Sequence, residues 1–369
     1  MHLAVALDGT GRHPASWREP GARPAELFTA RYWADVVAEA EAGLLDFVTF
    51  EDGLALQSSS PVAPDERTDQ VRGRLDAVLT AARIAPLTRH IGLVPSVTAT
   101  HTEPFHISKA IATLDYVSRG RAGLLVQVSG LPHEARHFGR RAFPVPVGEL
   151  SGEAADHVEV VRRLWDSWED DAEIRDVTTG RFVDRDKLHH IDFEGPHFSV
   201  RGPSITPRPP QGQPLVTASS GVLGGSADLV YVTPRDADEA AAAVARAADG
   251  TAHVFGDLAV FLDRDGPAAA ARRARLDELA AGPYSDDAAT FTGTPAQLAD
   301  LLQEWRAAGL SGFRLRPGVI AHDLPAITRA VVPELQRRGV FRREYGADSL
   351  RGLLGLERPA SRYAAPPAA

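Results

Sequence analysis

Three short patterns in the chain could carry chemistry. Pro132-His133-Glu134-Ala135-Arg136-His137 contains H-E-x-x-H, which on a long helix sets two imidazoles on one face for zinc with the glutamate as base. Here Pro132 and Gly139 confine the segment to about two helical turns. No third ligand falls at a recognisable spacing, so a chance match is the better reading and no metal is expected. Gly221 to Gly225 (GVLGG) follows an apolar run but matches neither G-x-G-x-x-G nor the Walker pattern, and reads as a turn. His189, His190 and His197 stand among carboxylates in a polar stretch and read as loop histidines, while Glu169–Asp171 reads as a solvated helix end. With no G-x-S-x-G, a serine triad cannot be argued.

More promising are polar residues placed just after apolar runs. These are Asp8, Glu51 with Asp52, Thr98 to His101, Gln127 with Ser129, Ser219 with Ser220, Thr233 and Arg316. Their setting is a regular alternation. His90–Ser129 reads as strand, helix and buried strand within about forty residues, the βαβ unit of parallel sheets. Strands are expected at 3–7, 45–50, 91–97, 123–129, 214–218, 228–232, 253–262 and 312–315. Helices are expected over 31–42, 75–87, 105–117, 149–168, 236–248, 267–281, 295–308 and 324–338. Eight strands with helices between them give an α/β class chain, a (β/α)8 TIM barrel over 1–369 as one domain. Residues 169–213, charged and then Pro-rich, are an expected insertion after the fourth unit, and 340–369 an expected tail that packs on a neighbour or frays. In such a barrel the strand C-termini carry function, and the polar residues named above lie there.

Composition narrows the options. The chain has 369 residues, 44% hydrophobic and 24% charged, with net charge −9 and scattered basic residues, which argues against nucleic acid. Zero cysteines exclude disulfides, thiolate metal sites and a cysteine nucleophile. The start MHLAVAL lacks a basic leader, and no apolar run reaches bilayer length, so a cytoplasmic protein off the membrane is expected.

Several blocks together resemble one family: GTGRHPASWREPGA, LLDFVTFEDGL, RHIGLVPSVTATHTEPFHISKAIATLDYVSRGRAG, HVEVVRRLWDSWEDDAEIRD, SVRGPSITPRPPQGQP and VVPELQRRGVFRREYGADSLRGLLGL. They are similar to the nitrilotriacetate, pristinamycin and dibenzothiophene-sulfone monooxygenase group of bacterial luciferase-like flavoenzymes, in preserved order from first strand to tail. The resemblance implies a dimeric or larger homo-oligomer that takes reduced FMN from a separate flavin reductase and uses O2 to oxygenate a small organic substrate. It implies that Asp52 and Thr98 lie against the flavin ring and that Ser219 and Ser220 hold its phosphate. It places His13 and Trp17 on the substrate side. Ser129 is a further flavin-side candidate, and His13 and His101 are the candidates for proton handling, because imidazole titrates near working pH.

The chain departs from the family pattern at the cofactor. The fourth-strand Asn is Leu125, the H-x-x-x-Y pair aligns with Val147 and Ser151, and only GVLGGS separates Ser220 from the next strand, too short for the family's helix. The H-E-x-x-H loop coincides with a family run kept here as EARHFG, which removes further support for zinc. Two alternatives therefore stand beside the FMN monooxygenase. One is an oxidoreductase using deazaflavin F420, and the other a flavin-free barrel acting as a binding or regulatory subunit.

Overall fold

A computed structural model describes residues 1–364 except 61, 142, 144, 248 and 249, with the side chain of Val147 also outside the description. Eight parallel strands close a barrel. They are β1 (His2–Leu7), β2 (Phe47–Phe50), β3 (Gly92–Thr98), β4 (Gly123–Gln127), β5 (Leu215–Ser219), β6 (Leu229–Val232), β7 (His253–Leu262) and β8 (Gly312–Pro317). Each pairs with its sequence neighbour, and β8 returns to β1. The eight expected strands are these eight, within two residues at each end.

Helices cover the outside because apolar residues recur at helical spacing. The helix Ala30–Ala42 buries Tyr32, Trp33, Val36, Val37 and Ala40. Thr29 caps it by accepting the Tyr32 N–H, and Gly43 ends it. Pro104–Ser118 and Val147–Asp166 follow the same logic on either side of β4. Between β5 and β6 no helix forms: the chain turns through Ser220–Ala227 and re-enters the sheet.

Two features differ from expectation, an extra strand and the tail, while the insertion carries the hairpin that its pattern around Phe193 to Val200 suggests. A ninth strand, Ala289–Gly293, pairs with Leu258–Leu262, the upper half of β7, while β6 pairs with its lower half. Its short, half-buried ATFTG carries no clear apolar period. Residues 169–213 hold two small hairpins, Glu173–Asp176 with Arg181–Val183 and Phe193–Glu194 with Ser199–Val200. Most consequential is the tail. The short helix Leu350–Leu353, capped by the Ser349 hydroxyl, plugs the N-terminal end of the barrel. Leu350 and Leu354 pack there with Ala4, Phe47, Val94, Leu125, Leu215, Leu229 and Phe255. Gly92 makes room, since a Cβ there would stand 2.6 Å from Leu350. Phe341, Leu350, Leu353 and Leu354 of the tail thus belong to the core.

Candidate functional site

The period-two alternation of a strand fixes what the opposite, C-terminal mouth contains. Two residues above Phe47, Leu125 and Phe255 on the same inward faces come Thr49, Gln127 and Asp257; β2 then continues to Glu51, and β8 adds Arg314 and Arg316. Arg314 is buried and makes a bidentate pair with Asp257 at 2.7 and 2.6 Å. It also reaches Glu51 at 3.3 Å and lies 3.7 Å over the Tyr231 ring. Arg316 bonds Asp257 and, at 2.6 Å, Asp286, which in turn pairs with Arg12 at 3.2 Å. Burial pushes the Asp257 carboxyl up, but the two guanidinium groups outweigh it and hold the group below its usual value. The mouth is a lattice of alternating charges. Sequence reasoning singled out Glu51 and Arg316 but missed Asp257, Arg314 and Asp286. The available signals were a lone acid within an apolar run (VFGDLAVFL) and arginines two apart in RLR.

Beside this lattice lies a cavity of about 400 Å³. Its walls come from the loop after β1 (Asp8, Arg12, His13), the loop 57–74 and the segment 280–286. His13 is buried there, stacked on Tyr284. Its Nδ1 accepts the Ala15 N–H, so the proton sits on Nε2 and is donated to Asp277 at 3.1 Å. Burial lowers its pKa, with Asp277 opposing, and the ring is neutral near neutral pH. Trp17 donates its indole N–H to the Asp69 carbonyl at 3.0 Å and thereby holds the loop 57–74 in place.

The residues implied for the flavin occupy the rim from β2 to β5. Asp52 accepts the N–H groups of Gly53 and Ala77 at 2.7 and 2.9 Å, and burial raises its pKa. Thr98 is buried and pairs in register with Gln127, so a hydroxyl and an amide stand side by side at the ends of β3 and β4. Leu125, one step below on the same face, belongs to the apolar interior. Its register partners on the neighbouring strands, Ser96 and Thr217, and Gln127 two residues on are the polar groups around the place of the family's Asn. Ser129 is bound to Glu134 and, through its N–H, to Thr100. Glu134 of the H-E-x-x-H run is thereby committed to a serine, and among the described residues no group of three or more His, Cys, Asp or Glu is placed for a metal. His101 stacks on Phe138 at 4.8 Å, and its buried Nε2 has no partner among the described residues. Burial lowers its pKa. Ser151 sits half-buried on the helix Val147–Asp166. Ser219 and Ser220 are exposed and line a second hollow, of about 450 Å³, with Tyr231, Thr233, Arg246 and Asp287.

The structure therefore gathers His13 at one cavity and Ser219 with Ser220 at another. Thr98, Asp52, His101 and Ser129 lie on the rim around them, and no single cavity is lined by all. The residues fit a flavin at both of its ends. Thr98 and Gln127 offer polar atoms to a ring, and Ser219 and Ser220 make no hydrogen bond through their hydroxyls among the described residues, leaving them available to an anion.

A closed parallel barrel with its polar groups gathered at the strand C-termini is the architecture of TIM-barrel enzymes. The chain belongs to the luciferase-like monooxygenase family, whose model matches residues 11–264. It is therefore one of a family of reduced-flavin-dependent monooxygenases. It is 31% identical to N-acetyl-S-(2-succino)cysteine monooxygenase of Bacillus subtilis (strain 168) over an alignment of 442 residues, covering 99% of this chain and 98% of the relative. Identity to nitrilotriacetate monooxygenase component A of Aminobacter aminovorans is also 31%, over 449 residues with the same coverage. The fold matches that of EDTA monooxygenase from Chelativorans sp. BNC1 with a TM-score of 0.83 at 22% identity, covering 97% of this chain and 99% of the other. Among the described residues no helix is long and apolar enough to cross a membrane.

Proposed function

We propose that this chain is the oxygenase of a two-component system, binding reduced FMN delivered by a partner reductase and oxygenating a small organic substrate with O2. The observation that carries this reading is an open-mouthed cavity and a second hollow lined by Ser219 and Ser220 at the strand C-termini, where Thr98 and Gln127 stand side by side. Bound there, the flavin would supply the activation of oxygen. The protein's part is positional. Thr98 and Gln127 orient the ring, Asp52 fixes the start of the helix Ala77–Ile84 beside it, and Ser219 and Ser220 hold the phosphate. Ser129, tied to Glu134, secures the loop after β4. Between the two histidines the geometry favours His101 for moving a proton, since its Nε2 has no partner among the described residues, while both ring nitrogens of His13 are engaged. His13 and Trp17 instead set the wall of the substrate cavity. Phe28, Leu75, Leu79 and Leu87 are exposed on one side of the barrel, which supports a homo-oligomer.

Titration of the purified protein with FMN, reduced FMN and F420 tests this reading, followed by flavin fluorescence and melting temperature. Stabilisation by FMN or its reduced form is expected, because a ligand that binds only the folded state raises its apparent stability. A response to F420 alone would replace the monooxygenase by the hydride-transfer alternative, and no response to any would leave a flavin-free barrel.

A further inference from the structure

The arginines around the 400 Å³ cavity are not equally satisfied. Arg67 makes a bidentate pair with Asp69 at 2.8 and 2.7 Å and donates to the Ala280 carbonyl. Arg12 bonds Asp286 and Asp8. Arg74 makes no hydrogen bond among the described residues. Its nearest carboxylate is Asp8 at 3.6 Å, already shared with Arg12, and its Nε is buried without a partner. The side chain is only 23% exposed. Gly53 leaves space for this guanidinium, since a Cβ there would stand 2.9 Å from Nη1. A half-buried guanidinium whose terminal N–H groups face a cavity without an acceptor is suited to an anionic ligand.

A second group in the same wall has the same defect. Gln57 closes a mutual pair with the Gly73 backbone, at 3.1 and 2.9 Å. Gln70, 9% exposed, accepts the Ser59 hydroxyl at Oε1, but its Nε2 has no partner. Both of these unpartnered nitrogens lie behind the cavity surface; the part of Arg74 that reaches the cavity is its terminal guanidinium, whose Nη atoms make no hydrogen bond among the described residues.

We propose that this cavity selects its substrate by a carboxylate, received by the terminal nitrogens of the Arg74 guanidinium. The planar fork of arginine suits the two oxygens of that group. The assignment rests on the cavity being the substrate site of the oxygenase proposed above.

Flavin-free protein is titrated with succinate, nitrilotriacetate, their neutral amides and ethanesulfonate, with FMN titrated in parallel. The carboxylates should raise the melting temperature and the amides should not. Arg74→Gln should weaken carboxylate binding by about tenfold or more, the equivalent of a charge-assisted hydrogen bond, and Arg74→Lys should restore part of it. Without ligand, Arg74→Gln should melt at or above the wild-type temperature, whereas a structural arginine would melt lower when removed. The inference is overturned if Arg74→Gln binds carboxylates as the wild type does, if ethanesulfonate binds as tightly, or if FMN binds while no carboxylate does. Carboxylate binding without FMN binding would support this site and remove the flavin reading. Binding of neither would remove both.

Discussion

Along β2, β4 and β7 the inward residues change character between one end of the barrel and the other. Phe47 gives way to Thr49 and Glu51, Leu125 to Gln127, and Phe255 to Asp257. At the lower end Leu350 and Leu354 complete an apolar plug, whereas at the mouth Asp257, Arg314 and Arg316 are buried charges that persist by pairing with one another. The same strands therefore perform two tasks. Burial of apolar surface stabilises the lower half, while the upper half spends desolvation energy on groups with fixed geometry, which is weak evidence for stability and strong evidence for a shaped site.

If the lattice holds by mutual pairing, removing its central member leaves the others buried with fewer partners. Asp257→Leu leaves Arg314 with Glu51 and Arg316 with Asp286 and Asp287, and should destabilise the protein by about 3 kcal/mol in urea unfolding. Asp257→Leu combined with Arg314→Met should recover part of that loss. A single variant within 1 kcal/mol of wild type, roughly the size of a surface pair, would show that the mouth is wetter than described. The plug makes the contrasting case. Leu350→Ala should cost about 3 kcal/mol through lost contacts and a cavity, yet leave FMN and carboxylate binding unchanged. Altered ligand binding in that variant would mean that the two ends are coupled.

Two buried titratable groups on the flanking helices sharpen the contrast through pH. His157 is buried, and the Thr102 backbone comes near without meeting hydrogen-bond geometry; burial lowers its pKa to about 4. Between pH 6.5 and 4 the unfolded chain takes up a proton that the native chain does not, so this group alone costs up to about 3 kcal/mol on acidification. Asp115 runs the other way. Burial lifts its pKa to about 6, against the N–H groups of Gln211 and Ala122, so the native state holds the extra proton and gains stability from pH 6 down to about 4. Their contributions nearly cancel in the wild type. His157→Leu should unmask Asp115 and make the urea midpoint rise as pH falls from 6 to 4. A midpoint that follows pH as the wild type's does would refute the neutral state of His157.

The barrel was legible in the sequence because its strands are short apolar runs separated by amphipathic helices, and each signal is local. The positions of Asp52, Thr98, Ser219 and Ser220 at strand ends followed from the same register. What could not be read depends on distant partners. Leu350 and Leu354, set among arginines and glycines, read as tail because their docking depends on Gly92 and on Phe47, some 250 to 300 positions away. Asp257 meets Arg314 across 57 positions, and nothing near either residue announces the other. The state of His13 hung on one backbone N–H, that of Ala15, and on Asp277 from a remote helix.

The smallest expected effect concerns Ser219 and Ser220, where the rim is least like either the lattice or the plug. Both side chains are exposed, Ser219 at the end of β5 and Ser220 at the start of the turn after it, so they contribute little to folding, and Ser219→Ala with Ser220→Ala should leave the melting temperature of the flavin-free protein unchanged. If they hold the phosphate, the variant loses hydrogen bonds to a charged group and FMN binds about tenfold more weakly. Riboflavin, which has the same ring and no phosphate, should bind variant and wild type alike. Equal weakening of both would show that the serines shape the ring site instead, moving the phosphate away from β5 and leaving the hollow with Thr233 and Arg246 to another ligand.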